Sequence, residues 1–579
     1  MFSLSWFIYS ISLFSTVFSS TFDSSSFFKQ LQEAEIVANT LMNDIATEWS
    51  IDQYPNFLRS MGTTRADWNT LVRKFQHKIL QAQAQASGAT PSTTTVTSDP
   101  VKFIISFMGS SVAAGHDSPF QSSFPVLVGN KMAPVLAKLG VELISKNVAM
   151  GNNPCMPYDV CVETFAGKDA DIVHWEQTYN CGHGDNQRVL EQFVRQSTLL
   201  PNRPLIVFTD SDTPNWRKND CPSNLDYSYN LTAEETGYLK VYHSHSGGLS
   251  EIATDNSLNK KSIHRKFGYM NHIIRNYKGV AAIQLWDHSI YRDYKCRGPY
   301  VADWHGHNAK WHPSLNGHRV RADHHTFFWV AAWRDAIISL RNENKLNNKV
   351  ALLKSLDIHK AVDLPRPLVV SNISDRIQCF TNYEPRTERQ SSIHALVVGG
   401  RAPADYDVDL TSTKRFSEKG VSSDNIGWKT EIYEALASAK IIAMANKAGY
   451  LDYKVVMYGS SASGPLSLLI QTHRDDGNIF LCEAPGIWGK MLKGFAPLWN
   501  ASLELYVTDL RGSESESATY SADHPFAFQP DKAVKLQYFH TKVDELCMQV
   551  MQKLPIGRYV LTIVPLSTKK VTLATILVP

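Results

Sequence analysis

Two adjacent serines, at positions 110 and 111, are the first residues of this chain whose type and position suit a chemical step. They follow an apolar run in the stretch FIISFMGSSVAAGHDS, residues 103–118. The apolar run predicts a buried strand, so Gly-Ser-Ser places a hydroxyl where that strand ends. A serine attacks an ester carbonyl when a base takes its proton and hydrogen-bond donors stabilise the oxyanion. Because glycine and serine also form ordinary turns, the stretch needs partners elsewhere in the chain.

Three such partners follow Ser111 in order. Gly151 lies in NVAMGNNP after a second apolar run, Asn180 ends the third run in DADIVHWEQTYN, and His312 lies in KWHPSLNGHRVRAD before a helical stretch. The carboxyl ends of parallel strands meet at one edge of a sheet, so these residues are expected to converge. Each residue alone also suits a turn or a helix cap, and only their joint order indicates a site.

In these four blocks, from Val101 to Arg341, the sequence resembles the SGNH hydrolase superfamily, the GDSL-like esterases and lipases. The resemblance implies a flavodoxin-like α/β/α fold with a parallel sheet, Ser111 as the nucleophile and His312 as the base. It also implies an oxyanion hole formed by the backbone N–H groups of Ser111 and Gly151 and the side-chain amide of Asn180. No cofactor or metal is required.

The chain departs from the family pattern three residues before His312, where Ala309 replaces the expected aspartate. A buried carboxylate normally orients the imidazole of the base. We predict that Asp303, folded back by a longer loop, takes this role. Asn308 or a backbone carbonyl would also serve, and a Ser-His dyad is the remaining alternative.

Two other stretches imitate functional motifs. YGSSASG, residues 458–464, nearly matches Gly-x-Ser-x-Gly but lacks the following helix, so we interpret it as a turn. The histidines between positions 305 and 325 lack a thiolate partner and the H-x-x-x-H spacing of a zinc helix, and we expect no metal there.

The surrounding patterns divide the chain into six segments. We predict a signal peptide at 1–19, a helical region at 24–87, a linker at 88–100, an α/β unit of SGNH type at 101–342, a connector at 343–365 and a β-rich, sandwich-like domain at 366–579. The α/β prediction rests on apolar runs that alternate with amphipathic stretches. One helix, from Gly427 to Gly449, is predicted to interrupt the β-rich part.

Composition and termini indicate where the protein acts. The chain has 579 residues, 43% of them hydrophobic, and a net charge of only +3, which describes a globular protein and argues against a nucleic-acid partner. An apolar N-terminus, eight cysteines and sequons at Asn230, Asn372 and Asn500 predict a secreted glycoprotein with disulfides. An uncleaved membrane anchor is the alternative at the N-terminus, and no later segment is apolar enough to span a bilayer.

Together these features predict a secreted serine esterase that hydrolyses carboxylic esters through an acyl-enzyme. Secretion and an attached β-rich domain favour an acylated polysaccharide or glycoconjugate as the substrate. Two alternatives remain open: an O-acyltransferase that uses the same residues, and a non-catalytic glycan-binding protein, which Ala309 favours.

Overall fold

The computed structural model of the chain describes residues 24–49, 61–63, 65–87, 99–116, 120–151, 153, 155–177, 186–210, 273, 276–284, 315–342, 364–368, 375–383, 385–398, 428–432, 454–475, 478–484, 493–498, 503–510, 533–536, 546–551 and 554–579. The predicted signal peptide and the sequons at Asn230, Asn372 and Asn500 lie outside these ranges. Within them, no helix has the length and apolar character needed to cross a membrane.

The described residues of the N-terminal part are mainly helical, as their period predicted, and include a short strand. Its elements are α1 (Ser24–Glu48), β1 (Met61–Thr63) and α2 (Arg65–Ala86). This region packs directly on the α/β unit, because the Phe75 ring of α2 stacks on Phe103 at 4.4 Å and meets Trp333 edge-on at 5.3 Å. Helical region and sheet therefore share one apolar core.

A parallel sheet of five strands forms the centre of the α/β unit. The strands are β2 (Val101–Gly109), β3 (Val141–Asn147), β4 (Ile172–Glu176), β5 (Leu205–Asp210) and β6 (Val280–Gln284). Their spatial order is β3-β2-β4-β5-β6, with β1 added antiparallel at the β6 edge. This 2-1-3-4-5 order is the flavodoxin-like one, and its switch point lies between β2 and β4. The predicted α/β fold is confirmed.

Helices cover the sheet unequally on its two faces. Within the described residues, the helices and helical turns of the unit are α3 (Ser111–Ala114), α4 (Phe124–Ala137), α5 (Cys155–Tyr158), α6 (Val162–Ala166), α7 (Asn186–Thr198) and α8 (Leu315–Asn342). Helices α2, α4 and α8 cover one face, and α8 is buried so deeply that Trp329 and Trp333 are fully enclosed. The other face is covered by α7, by the short turns α5 and α6, and by the β-rich region.

The described residues of the β-rich region form three antiparallel sheets. Its strands are β7 (Gln378–Thr381), β8 (Lys429–Ile432), β9 (Val455–Gly459), β10 (Leu466–Thr472), β11 (Ile479–Cys482), β12 (Leu503–Asp509), β13 (Val534–Lys535), β14 (Cys547–Met551), β15 (Gly557–Pro565), β16 (Val571–Leu573) and β17 (Thr575–Val578). The sheets β10-β15-β12-β13 and β14-β11-β17-β7 enclose one apolar core, to which Leu468 and Leu561 contribute from the first and Leu481 and Ile576 from the second. The predicted sandwich-like packing is confirmed.

The helix predicted from Gly427 is wrong at its start, because residues 429–432 form β8. This strand pairs antiparallel with β9, Lys429 lying opposite Tyr458. Trp428 anchors it: the indole lies so close to Gly459 that a Cβ there would come within 2.6 Å of the ring. Strand pairing and indole burial outweigh the local helical period, as is common for short strands.

The sheet β14-β11-β17-β7 is buried on both faces, because its second face packs against the α/β unit. Phe480, Cys482 and Leu577 belong to the same apolar cluster as Trp175 and Phe193. Both β11 and β17 are buried at every position, and apart from Thr575 all their residues are apolar, as expected for strands covered on both faces. The β-rich region is therefore packed into the core of the molecule.

Disulfides strengthen this arrangement, as the cysteine content predicted. One bond joins Cys161, beside α6, to Cys379 in β7 over a sequence separation of 218 residues. The Thr164 hydroxyl of α6 donates to the Cys379 carbonyl at 2.9 Å. A second disulfide, Cys482–Cys547, links β11 to β14. The first bond ties the α/β unit covalently to the β-rich region.

Candidate active site

The Gly-Ser-Ser sequence lies at the carboxyl end of β2, beside the switch point of the sheet. A Cβ at Gly109 would lie 2.8 Å from the Glu176 carbonyl oxygen and 2.9 Å from the Ala113 Cβ, so only glycine fits between the strand end and α3. The Ser110 N–H donates to the same Glu176 oxygen at 3.2 Å. Ser110 is fully buried, whereas Ser111 is partly exposed as the first residue of α3. Of the two serines, Ser111 is the accessible one.

Gly151 lies at the same edge of the sheet as Ser111. After β3 the chain continues along β2, with the Val148 N–H donating to the Phe107 carbonyl at 3.0 Å and the Met150 N–H to the Gly109 carbonyl at 3.1 Å. Gly151 follows Met150 directly and therefore lies beside the end of β2, where the two serines begin.

A histidine that the sequence did not single out packs on Gly151. The His116 N–H donates to the Ser111 carbonyl at 2.9 Å, closing the turn after α3. Its imidazole lies against the α-carbon of Gly151, and a Cβ at that position would come within 1.9 Å of His116 Cε1, far closer than real Cβ contacts. Position 151 therefore requires glycine because the imidazole approaches its backbone so closely, and not because of an unusual backbone angle.

Two buried side chains brace the loops that carry Ser111 and Gly151. The Tyr158 hydroxyl donates to the Val148 carbonyl at 2.6 Å and accepts from the Gly109 N–H at 3.4 Å. The Asn147 amide donates to the Ala113 carbonyl at 2.9 Å. Nothing in the local sequence marks either residue, because their partners lie in other segments of the chain.

The end of β4 is hydrogen-bonded to the loop after β3. The Gln177 amide, directly after β4, donates to the Asn153 carbonyl at 2.8 Å. Gln177 is buried and stands three positions before the predicted Asn180 in the sequence. The chain that leads to Asn180 therefore starts against the Gly151 loop.

Helix α8 is fixed to the same edge by a buried ion pair. The Arg321 guanidinium pairs with the Glu176 carboxylate at the end of β4, and the two side chains are 2% and 0% exposed. Burial lowers the pKa of Arg321 to about 9, so it is protonated at neutral pH. One turn earlier, His318 Nδ1 accepts from the Phe124 N–H at 3.3 Å. The first turns of α8, which begin within the HPSLNGH block, are thereby anchored to α4 and to the end of β4, where the Glu176 carbonyl accepts the Ser110 N–H.

Histidines 174 and 325 form a buried hydrogen-bonded group with Thr209. The Thr209 hydroxyl lies 2.5 Å from His174 Nε2 and 2.9 Å from His325 Nε2, and the two Nε2 atoms are 3.1 Å apart. The His325 Nδ1–H donates to the Arg321 carbonyl at 2.7 Å. Burial lowers the pKa of His325 to about 4 and that of His174 well below its ordinary value. Both imidazoles are neutral at pH 7 and serve the packing of α8 on the sheet.

Among the predicted site residues, the structure brings Ser111 and Gly151 to one edge of the sheet. Asn180, Asp303 and His312 lie outside the described residues, and so does the alternative orienting residue Asn308. The convergence of base, nucleophile and oxyanion hole stays a prediction. The motif at 458–464, by contrast, is the turn that was predicted, since Ser461–Ser463 form one turn of 3-10 helix after β9.

Comparison with known proteins gives few matches. No protein-family profile matches the chain. No curated protein sequence matches it either. Among solved structures, a two-domain esterase active on acetylated mannans, crystallised with mannopentaose, is similar at 12% identity and a TM-score of 0.38, over 82% of this chain and 91% of that one. A second structure of a two-domain esterase active on acetylated mannans covers 87% of this chain and 95% of its own, again at 12% identity and a TM-score of 0.38.

Proposed function

We propose that the protein is a serine esterase of the SGNH type with Ser111 as its nucleophile. The observation that carries the proposal is the position of Ser111, partly exposed at the carboxyl end of β2, beside the switch point and next to the loop of Gly151. Ligands of open α/β sheets bind at this point, because the loops on either side diverge there and leave a crevice.

The mechanism follows from the residues of the four blocks. Ser111 Oγ attacks the ester carbonyl while His312, oriented by Asp303, takes the hydroxyl proton. The tetrahedral oxyanion accepts hydrogen bonds from the N–H groups of Ser111 and Gly151 and from the Asn180 amide. Collapse breaks the bond to the alcohol, which leaves with the proton from His312. Water, deprotonated by the same imidazole, then releases the acid from Ser111.

An extracellular acylated polysaccharide or glycoconjugate is the substrate class we favour. The disulfides Cys161–Cys379 and Cys482–Cys547 support an oxidising compartment, as expected for a secreted protein. The β-rich region packs against the α/β unit and would add surface beside the crevice for a substrate larger than a simple ester.

Labelling with a fluorophosphonate probe tests the nucleophile, since the probe phosphonylates only an activated serine. We expect the wild-type chain and the Ser110→Ala variant to react and Ser111→Ala to be unreactive. Hydrolysis of p-nitrophenyl acetate should fall by on the order of 10³-fold or more in Ser111→Ala and in His312→Ala. Ser110→Ala is the matched control for Ser111→Ala, because it removes the hydroxyl of the adjacent serine, which is fully buried.

Each other outcome favours a stated alternative. Equal labelling of Ser111→Ala and wild type would place the nucleophile elsewhere. A wild-type chain that neither labels nor hydrolyses esters, yet binds glycans, would favour the non-catalytic binding protein. Acyl transfer to an added sugar in preference to water, measured by product analysis, would identify an O-acyltransferase.

A further inference from the structure

A lysine of the β-rich region reaches the loop of Gly151. Lys454 directly precedes β9, and its ammonium donates to the Gly151 carbonyl oxygen at 2.6 Å across 303 residues of sequence. Lys454 is only 5% exposed. Strand β9, which follows Lys454, also packs against the α/β unit, since its Val456 belongs to the same apolar cluster as Met108 and Met150. The contact therefore lies in the interface between the β-rich region and the α/β unit, at the loop after β3.

A buried ammonium in such an interface requires a physical reason. Lysine is among the residues least often fully buried, because taking its charge out of water is costly. A methionine or leucine at position 454 would fill a similar volume without this cost. In this structure the ammonium donates a hydrogen bond to the carbonyl oxygen of Gly151, which ties the β-rich region to that loop.

Gly151 has no side chain to restrict its backbone, so neighbouring groups must do so. On one side, the Met150 N–H is bonded to the Gly109 carbonyl at 3.1 Å. On the other, Lys454 holds the Gly151 carbonyl, and the His116 imidazole covers the α-carbon between them. The peptide N–H of Gly151 lies between these anchors, and its direction depends on all three.

We propose that Lys454 is a positioning residue of the esterase site, which holds the Gly151 carbonyl so that the Gly151 N–H keeps the direction the oxyanion requires. The inference rests on the proposed function, in which this N–H is an oxyanion donor. The positive charge of the Lys454 ammonium, bonded to Gly151, also favours the negative charge that develops on the oxyanion in the transition state. The β-rich region is then part of the catalytic unit, because it supplies an anchor of the oxyanion hole.

Steady-state kinetics of Lys454→Met test the proposal on the full chain. Losing an oxyanion donor outright costs about 10²–10³ in kcat, so a misdirected donor should lower kcat by about 10- to 100-fold, with KM for p-nitrophenyl acetate within about twofold of wild type. Lys454→Arg, which retains a charged donor, should recover most of this loss. Lys569→Met is the matched control, since it removes one exposed lysine of the same region and should leave kcat unchanged.

The outcomes separate this inference from the proposed function. A wild-type kcat in Lys454→Met, with Ser111→Ala inactive, would overturn the role of Lys454 and leave the esterase intact. An inactive, unlabelled wild-type chain would instead remove the esterase itself. Should Lys454→Met not fold, Lys454→Gln decides: it keeps a shorter neutral donor, so kcat should fall at an unchanged KM, and a wild-type kcat would overturn the proposal.

Discussion

The ion pair between Glu176 and Arg321 offers a quantitative test of how α8 is held against the sheet. The two side chains are 0% and 2% exposed, and they join the end of β4 to the first turns of α8. Glu176→Gln keeps the shape of the side chain and removes its charge. The buried Arg321 guanidinium then loses the Glu176 carboxylate, while the Glu176 backbone can still accept the Ser110 N–H.

Removing one partner of a buried ion pair costs about 3–5 kcal/mol, because the other charge is left uncompensated in a poorly solvated place. One kcal/mol shifts the melting temperature of a unit of about 150–250 residues by about 2–4 °C. We therefore expect Glu176→Gln to lower the unfolding midpoint of the α/β unit by about 6–20 °C. Differential scanning calorimetry of the full chain at pH 7 measures this shift.

Two further variants decide whether the reasoning holds. Glu504→Gln breaks an exposed pair with Lys535 and should leave the midpoint nearly unchanged, because water already solvates both groups. Replacing both buried partners, with Glu176→Leu and Arg321→Met together, should restore most of the lost stability. A Glu176→Gln midpoint equal to that of Glu504→Gln, or a double variant no better than the single one, would refute the argument.

Two other predictions concern the glycine loop and the buried histidines. Gly151→Ala puts a methyl group within 1.9 Å of His116 Cε1, so the imidazole must move and we expect kcat for ester hydrolysis to be at least about tenfold lower. The rate is measured with p-nitrophenyl acetate, and an unchanged kcat would argue against this packing. The pKa of His325 is about 4 in the folded chain against an ordinary 6.5, so the unfolded chain binds more protons between these values. The free energy of unfolding should therefore be level above about pH 6.5 and fall by about 3 kcal/mol as the pH drops to 4. The lowered pKa of His174 acts in the same direction. The His325→Gln variant should flatten the decline, which unfolding midpoints measured across this pH range would show.

Much of the fold could be predicted because its signals are local. Apolar runs such as that of β2 and helical periods such as that of α1 depend on neighbouring residues, and they predicted strand and helix correctly at these places. The turn at residues 458–464 was recognised for the same reason. The resemblance in the four blocks then predicted the flavodoxin-like sheet, whose strand order is confirmed.

The sequence by itself thus determined the strands and helices described in the α/β unit, and it placed the candidate serines directly after the first strand of the parallel sheet. Only the tertiary structure decided that residues 429–432 are a strand, that one sheet of the β-rich region is buried on both faces, and that Glu176 meets Arg321. It alone decided that Lys454 reaches Gly151. These contacts join residues far apart in the chain, and their energies come from burial and pairing of groups, which leave no periodic trace in the local sequence.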